Sequence, residues 1–310
     1  MPEIVIAEFM DEAAVDQIRA RHETLYDPQL VDRPDDLVAA VAGASALVVR
    51  NRTRVTAALL AAAPGLRCVG RLGVGLDNIE LDACKARGVT VYPASGANDV
   101  AVAEYVVTTA LVLLRRAYDA TEDVIAGNWP RQQSIGREGQ GKRLGLVGYG
   151  SIARQTAARA RVFGFSIAAF DPFLPEGDAA WADAERHGLD DLLRNSDVVS
   201  LHVPLTDATR HMIGAQALSL MRADAILINS ARGGVVDETA LAEALREGRL
   251  GGAALDVFET EPLTAEAGRV FAGLANLILT PHIAGVTDES NVRVSRVTAD
   301  NILRHLETRS

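Results

Sequence analysis

The chain has 310 residues, 31 basic against 41 acidic, for a net charge of −10. That balance excludes nucleic acid and anionic membrane as general partners, and a hydrophobic content of 48% suffices for a large core in two domains. Cys68 and Cys84 lie in apolar-periodic segments, so they make no disulfide framework and belong in the core. The N-terminus enters a strand-like run at once, without the basic and apolar regions of a secretion signal. No apolar run is long enough to span a bilayer, since residues 100–114 are interrupted by Glu104. A soluble, cytoplasmic protein that needs no metal is expected.

In chain order, short β-branched runs alternate with helical patterns, which predicts an α/β fold of parallel sheets covered by helices. Strands are expected at 4–7, 46–49, 67–69 and 89–91, with amphipathic helices between them and one long helix at 98–116. The alternation starts again at Gly145. A buried strand at 144–147 runs into Gly148-Tyr-Gly150-Ser151-Ile152-Ala153, followed by a helix at 152–163 and a strand at 166–170 that ends in Asp171. Gly148 and Gly150 permit a tight turn and close approach of a pyrophosphate, and Ala153 is small enough for the helix to pack on the strand. The first N–H groups of that helix, at Ser151 and Ile152, face the diphosphate. Asp171 follows at about the 20-residue distance where an acid accepts hydrogen bonds from an adenosine ribose. Pro172 and Phe173 come next, with no cation to neutralise a 2′-phosphate, so NAD is favoured over NADP. Further strands are expected at 197–203, 225–229, 253–257 and 277–279, and a closing helix at 288–306.

Three polar residues follow the last three strands of this half, at the edge where open α/β sheets bind ligands. They are Arg232, Glu261 and His282. Hydride transfer between a nicotinamide and a hydroxy acid needs such a set. An imidazole can remove the hydroxyl proton, a carboxylate can orient the ring, and a guanidinium can grip the substrate carboxylate in fork geometry.

The segments Asn229-Ser-Ala-Arg-Gly-Gly-Val-Val-Asp237, Ala254-Leu-Asp-Val-Phe-Glu-Thr-Glu-Pro262 and Thr280-Pro-His-Ile-Ala284 resemble the signatures of the D-isomer-specific 2-hydroxyacid dehydrogenases. The resemblance reaches back to Val69-Gly-Arg-Leu-Gly-Val-Gly-Leu-Asp-Asn78. It implies an NAD-binding Rossmann domain at 99–284, inserted in a flavodoxin-like substrate (lid) domain made of 1–98 and 285–310. It implies Arg232, Glu261 and His282 as the catalytic residues. Around the cofactor it implies Asp256 and His282 beside the nicotinamide, His202, Val203, Pro204 and Thr209 on the adenine side, and Ser230 and Ala231 along the dinucleotide. The N–H groups of Val74 and Gly75 are implied to hold the substrate carboxylate together with Arg232. A homodimer is implied as well, built by the long helix and the arm that carries Trp129.

Arg50 and Arg52 directly follow a predicted strand, and Arg71 precedes the glycine loop. A basic cluster on an acidic protein suggests a substrate with a second anion. Among phosphoglycerate-dehydrogenase-like enzymes the chain is similar to the (S)-sulfolactate dehydrogenase branch, through Glu8-Phe-Met-Asp-Glu12 and Val49-Arg-Asn-Arg-Thr53. Sulfur ranks above the carboxylate in priority, so (S)-3-sulfolactate has the spatial arrangement of a D-hydroxy acid. The expected substrate is therefore 3-phosphoglycerate or (S)-3-sulfolactate. The alternatives are a hydroxypyruvate or glyoxylate reductase of the same family, and a non-catalytic NADH-sensing corepressor.

Overall fold

The computed structural model describes residues 2–308. It divides into two units, one formed by the chain's two ends (up to Asn98 and from Val286) and the other by Asp99–Gly285.

The first unit runs β1 (Ile4–Ile6), α1 (Glu12–Arg19), β2 (Thr24–Tyr26), α2 (Pro34–Val41), β3 (Ala46–Val49), α3 (Ala57–Ala62), β4 (Cys68–Arg71), α4 (Leu81–Ala86) and β5 (Thr90–Pro93). The C-terminal helix Asp288–Glu307 completes it, opened by a reciprocal cap between Thr287 and Ser290. All five strands are parallel, in the order β2-β1-β3-β4-β5 of flavodoxin-like sheets. β1 and β3 are apolar at every position and wholly buried, as strands covered on both faces must be. Gly70 lets the C-terminal helix lie against β4, because a Cβ there would stand 2.8 Å from Thr298 Cγ2. Chain direction turns outward both ways between β1 and β3, so the loops after these two strands flank the switch point of the sheet.

The second unit opens with α5 (Asp99–Arg115) and α6 (Thr121–Ile125), then β6 (Arg143–Val147), α7 (Ser151–Val162), β7 (Ser166–Phe170), β8 (Glu185–Arg186) and α8 (Leu189–Asn195). It continues through β9 (Val198–Leu201), α9 (Ala215–Leu220), β10 (Ile226–Asn229), α10 (Glu238–Arg246), β11 (Gly252–Leu255) and β12 (Leu277–Leu279). Its seven strands are again all parallel, ordered β12-β11-β10-β9-β6-β7-β8. Alternate residues of one strand serve opposite layers. Leu144 and Leu146 join Val106, Ala110, Ala153 and Ala157 of α5 and α7, while Val147 joins Leu192 and Leu241 of α8 and α10.

Two strands, β2 and β8, lie outside the expected set, and β4 and β5 run one or two residues later than expected. Both unexpected strands are short edges of mixed composition without the apolar run that marks an interior strand. Cys68 and Cys84 are buried, and burial pushes both thiols up, that of Cys68 to about 12, so both stay protonated at neutral pH. No helix of the described residues is long and apolar enough to cross a membrane.

Candidate active site

In the second unit the sheet's switch point lies between β6 and β9. The turn after β6 is shaped by Gly148, whose φ is +88° and whose missing Cβ would stand 2.7 Å from the His202 carbonyl oxygen. Any side chain there is excluded twice, by backbone conformation and by contact. Gly150 then starts α7 with no side chain accepting its first N–H groups. These donors, at Ser151 and Ile152, and the positive end of a 12-residue helix suit a diphosphate. Around this turn, Thr209 Oγ1 donates to the Pro204 carbonyl at 2.6 Å, and Val203 packs against Gly148. Burial pushes the His202 imidazole down to about 4, which keeps it neutral beside the turn. The Ser230 hydroxyl, next to Ala231 in the loop after β10, is buried with no hydrogen-bond partner among the described residues.

Asp171 does more for the protein than its position alone suggests. One carboxylate oxygen accepts from Tyr149 N at 2.9 Å, and the other from Phe173 N and Leu174 N at 2.9 and 3.2 Å. It therefore ties the glycine turn to the chain beyond β7. Tyr149 is buried and stacked on Trp181, with ring centroids 5.6 Å apart, which fixes the same two segments from the other side.

Arg232, Glu261 and His282 follow β10, β11 and β12, three adjacent parallel strands. The loop carrying Arg232 is shaped by Asn229, which accepts from Ala231 N at 3.1 Å and donates to Arg232 O at 2.9 Å. The loop carrying Glu261 presses on it. A Cβ at Gly233 would stand 1.7 Å from the Phe258 carbonyl oxygen, so only glycine lets the two loops meet. Glu261 uses one oxygen to accept from Phe258 N at 3.0 Å and the other to contact His282 Nδ1 at 2.7 Å. Burial pushes the Glu261 carboxyl up, but the bonds from His282 and Phe258 and the charges of His282 and Arg232 bring it below its ordinary value. With Nδ1 turned to a carboxylate, the imidazole presents Nε2 outward.

His282 itself sits in the left-handed region, at φ +56°, where non-glycine residues are uncommon. The turn is held by Asp256, which is 1% exposed. Its carboxylate accepts from Thr280 Oγ1 at 2.6 Å and from Ile283 N and Ala284 N at 2.8 Å each, and its own carbonyl accepts from His282 N. The carboxylate of Asp256, expected beside the nicotinamide, holds this turn.

The first unit gathers the remaining cations. Glu8, after β1 and 4% exposed, accepts from the backbone N–H groups of Arg50, Arg52 and Thr53 after β3. Asn78 donates to the carbonyls of Arg50 and Thr53, closing the loop from the opposite side. The Arg50 guanidinium lies over the Phe9 ring at 5.9 Å and donates to Asn291 at 2.8 Å, while Arg52 is ion-paired with Asp32. Arg71 folds back over Gly73 to donate to Leu72 O at 2.6 Å. The N–H groups of Val74 and Gly75 have no acceptor among the described residues and are available to an anion.

Sequence reasoning missed Glu8 as a loop clamp, Asn229 as a loop former and Thr280 as a partner of Asp256. A signal existed for the first two, since a carboxylate or an amide directly beyond an apolar strand is placed to bind backbone groups.

Two parallel sheets, a glycine turn opening a helix at one switch point, and a His–Glu pair beside an arginine at adjacent strand ends define a dinucleotide-dependent dehydrogenase. Residues 107–284 match the model of the D-isomer specific 2-hydroxyacid dehydrogenase NAD binding domain. The (S)-sulfolactate dehydrogenase of Chromohalobacter salexigens is 54% identical over 311 residues, covering 100% of both chains. The hydroxypyruvate reductase of Thermotoga maritima is 40% identical over 88% of each chain. Among solved structures, the D-lactate dehydrogenase of Aquifex aeolicus complexed with NAD and lactic acid superposes with a TM-score of 0.84 at 29% identity, covering 98% of this chain and 96% of that one. The chain belongs to the D-isomer-specific 2-hydroxyacid dehydrogenase family. It is an NAD-dependent oxidoreductase acting on the CH–OH group of 2-hydroxy acids.

Proposed function

We propose that the protein oxidises (S)-3-sulfolactate with NAD, using His282 as the proton acceptor, Glu261 as its partner and Arg232 as the carboxylate clamp. The observation that carries the chemistry is the 2.7 Å contact between His282 Nδ1 and Glu261. It fixes the neutral tautomer whose Nε2 lone pair takes the hydroxyl proton, and it then stabilises the imidazolium. Glu261 suits this because its carboxyl, held below the ordinary value, is ionised at neutral pH. Arg232, whose Nη1 also donates to the Ala231 carbonyl at 2.5 Å, brings a guanidinium for the carboxylate next to the reacting carbon. Bound NAD would supply the hydride acceptor for C2. The turn at Gly148 and Gly150, the N–H groups of Ser151 and Ile152, His202 and the Ser230 hydroxyl are the residues that would hold it.

The second anion of the substrate falls to Arg50, Arg52 and Arg71, with Val74 and Gly75 assisting at the carboxylate. Their support is position and pairing: the Arg50–Thr53 loop sits at the switch point of the first sheet, where ligands of open α/β sheets bind. A relative named for sulfolactate, identical at 54% over its full length, supports the same substrate. The test is a panel of (S)-3-sulfolactate, D-3-phosphoglycerate, D-lactate, glyoxylate and hydroxypyruvate with NAD(H) and NADP(H). The expected result is the highest kcat/KM for sulfolactate with NAD. A higher value for hydroxypyruvate, the substrate named for the 40% identical relative, would reverse the assignment.

The active form is a cytoplasmic homodimer. The apolar side chains of Tyr118, Val124, Ile125, Trp129 and Ile135 are exposed within one stretch of the second unit, Trp129 to 75%, and suit a second copy of the chain. Light scattering should return twice the 32.9 kDa chain mass.

A further inference from the structure

A left-handed histidine whose side chain must be placed within tenths of an ångström needs a restraint stronger than its own turn. That restraint is a chain of hydrogen bonds running back into the core. Tyr105 on α5 and Thr280 share a 2.6 Å bond between hydroxyls, and Thr280 Oγ1 donates to Asp256 at 2.6 Å. The Thr280 proton is spent on the carboxylate, so the Tyr105 hydroxyl is the donor of the first bond. The order is therefore fixed: Tyr105 to Thr280 to Asp256. Asp256 spreads its remaining acceptance over the two amides that follow His282, both at 2.8 Å. These two N–H groups directly follow the left-handed His282, at φ +56°, and each binds one oxygen of the same carboxylate. Pro281 has no N–H of its own, which leaves the turn nothing else to bond with at that position.

We propose that Tyr105 and Thr280 are positioning residues, acting through Asp256 to lock the left-handed His282 turn and so the alignment of the imidazole with Glu261. The inference rests on His282 as proton acceptor, and it adds two residues of which neither carries charge nor touches the reacting atoms. Burial pushes the Tyr105 hydroxyl up, so it stays a proton donor over the whole working range.

Thr280→Val keeps the shape and removes both bonds. It should lower kcat by about 10- to 100-fold, the scale of a misplacement of somewhat less than an ångström, and leave the KM for NAD within about threefold. Thr280→Ser restores the hydroxyl and should return kcat to within about threefold of the parent. Tyr105→Phe removes one bond and should fall between. Hydrogen exchange over residues 282–284 should quicken in Thr280→Val and not in Thr280→Ser, a readout that needs no turnover. Unchanged kcat in Thr280→Val, failure of Ser to rescue, or a KM for NAD that rises in step with the loss of kcat would overturn the proposal. The last result would make the chain a cofactor subsite instead. If Thr280→Val does not fold, Tyr105→Phe decides: a lowered kcat with unchanged KM for NAD supports the proposal, and parent-like kcat sinks it. His282→Ala separates the two readings. Should that variant turn over normally, the acid–base assignment fails, while the exchange comparison still judges the positioning chain.

Discussion

Gly233→Ala is the sharpest probe of how the site is assembled. A Cβ at this position would lie 1.7 Å from the Phe258 carbonyl oxygen, 2.1 Å from its carbon and 2.9 Å from Glu259 N. All three are backbone atoms, so no side chain can swing away. Ordinary contact needs about 3.5 Å, and the loops bearing Arg232 and Glu261 must part by nearly 2 Å to admit the methyl group. An ångström of misplacement costs about 10²-fold in rate, so kcat should fall by about 10²- to 10³-fold. Overpacking of this kind costs about 1–3 kcal/mol, which lowers Tm by roughly 2–10 °C for a domain of this size. The affinity for NAD should fall much less than kcat, by up to about tenfold, because the Gly148 turn follows β6 and only Ser230 of the proposed NAD contacts lies in a displaced loop. The control is Gly234→Ala. Its φ of +77° makes alanine strained, at about 1–2 kcal/mol, yet the nearest atom to the new Cβ lies at 3.5 Å. It should lower Tm while sparing kcat. NADH formation at 340 nm and thermal scans of the two variants suffice. If Gly233→Ala keeps more than a tenth of parental kcat, or Gly234→Ala loses as much, the meeting of the two loops does not organise the site.

His282→Ala should lower kcat by about two to four decades with NAD affinity nearly unchanged, by steady-state kinetics and cofactor titration; parental turnover would remove His282 from the mechanism. Arg52→Ala should lower kcat/KM for sulfolactate or 3-phosphoglycerate by about 10- to 100-fold, the worth of one charged hydrogen bond, and leave D-lactate within about twofold. Equal losses on both classes of acid would sink the second-anion site. His202→Asn tests burial of a neutral imidazole. The His202 pKa falls from 6.5 to about 4 on folding, so the unfolded chain binds a proton that the folded one refuses, and stability is lost as pH drops through 6.5 toward 4. At pH 5 that loss is about 2 kcal/mol, and Tm of the parent should fall more steeply below pH 6.5 than that of the variant. Superimposable acid limbs would show that His202 is not the group responsible.

The interior strands were legible because a run such as Ile226-Leu-Ile in a doubly covered sheet has no other stable place. The strand-end residues were legible for a related reason: parallel sheets put the chain's polar interruptions on one edge. What the sequence hid was commitment. Asp171 was read from its spacing, Asp256 from the family resemblance and Arg52 from its place after a strand, and none of these grounds shows that each is also engaged with the protein itself, Asp171 with three amides, Asp256 with a turn and Arg52 with Asp32. Partners such as these are distant in sequence and leave no periodic trace. Gly233 and Gly234 look alike in the sequence, and only the packing tells which one is shut in by a carbonyl and which one is turned by its φ. The edge strands β2 and β8 lacked the apolar run that marks an interior strand.

The loop clamped by Glu8 bears on selectivity in a way that a count of arginines does not. Glu8 lies beneath the Arg50–Thr53 backbone, and Asp32 holds Arg52 from outside, so the loop at rest is close to electrically balanced. An exposed ion pair of this sort is weak and opens easily. A weak, loosely shaped anion such as chloride or free phosphate gains little by opening it. Under the proposed function, a substrate anchored by its carboxylate would deliver its second anion at high effective concentration and displace Asp32 at small cost. If Arg50 and Arg52 receive the second anion as proposed, the loop would act as a filter for tethered charge, letting a strongly acidic protein take a doubly charged substrate without becoming a general anion trap.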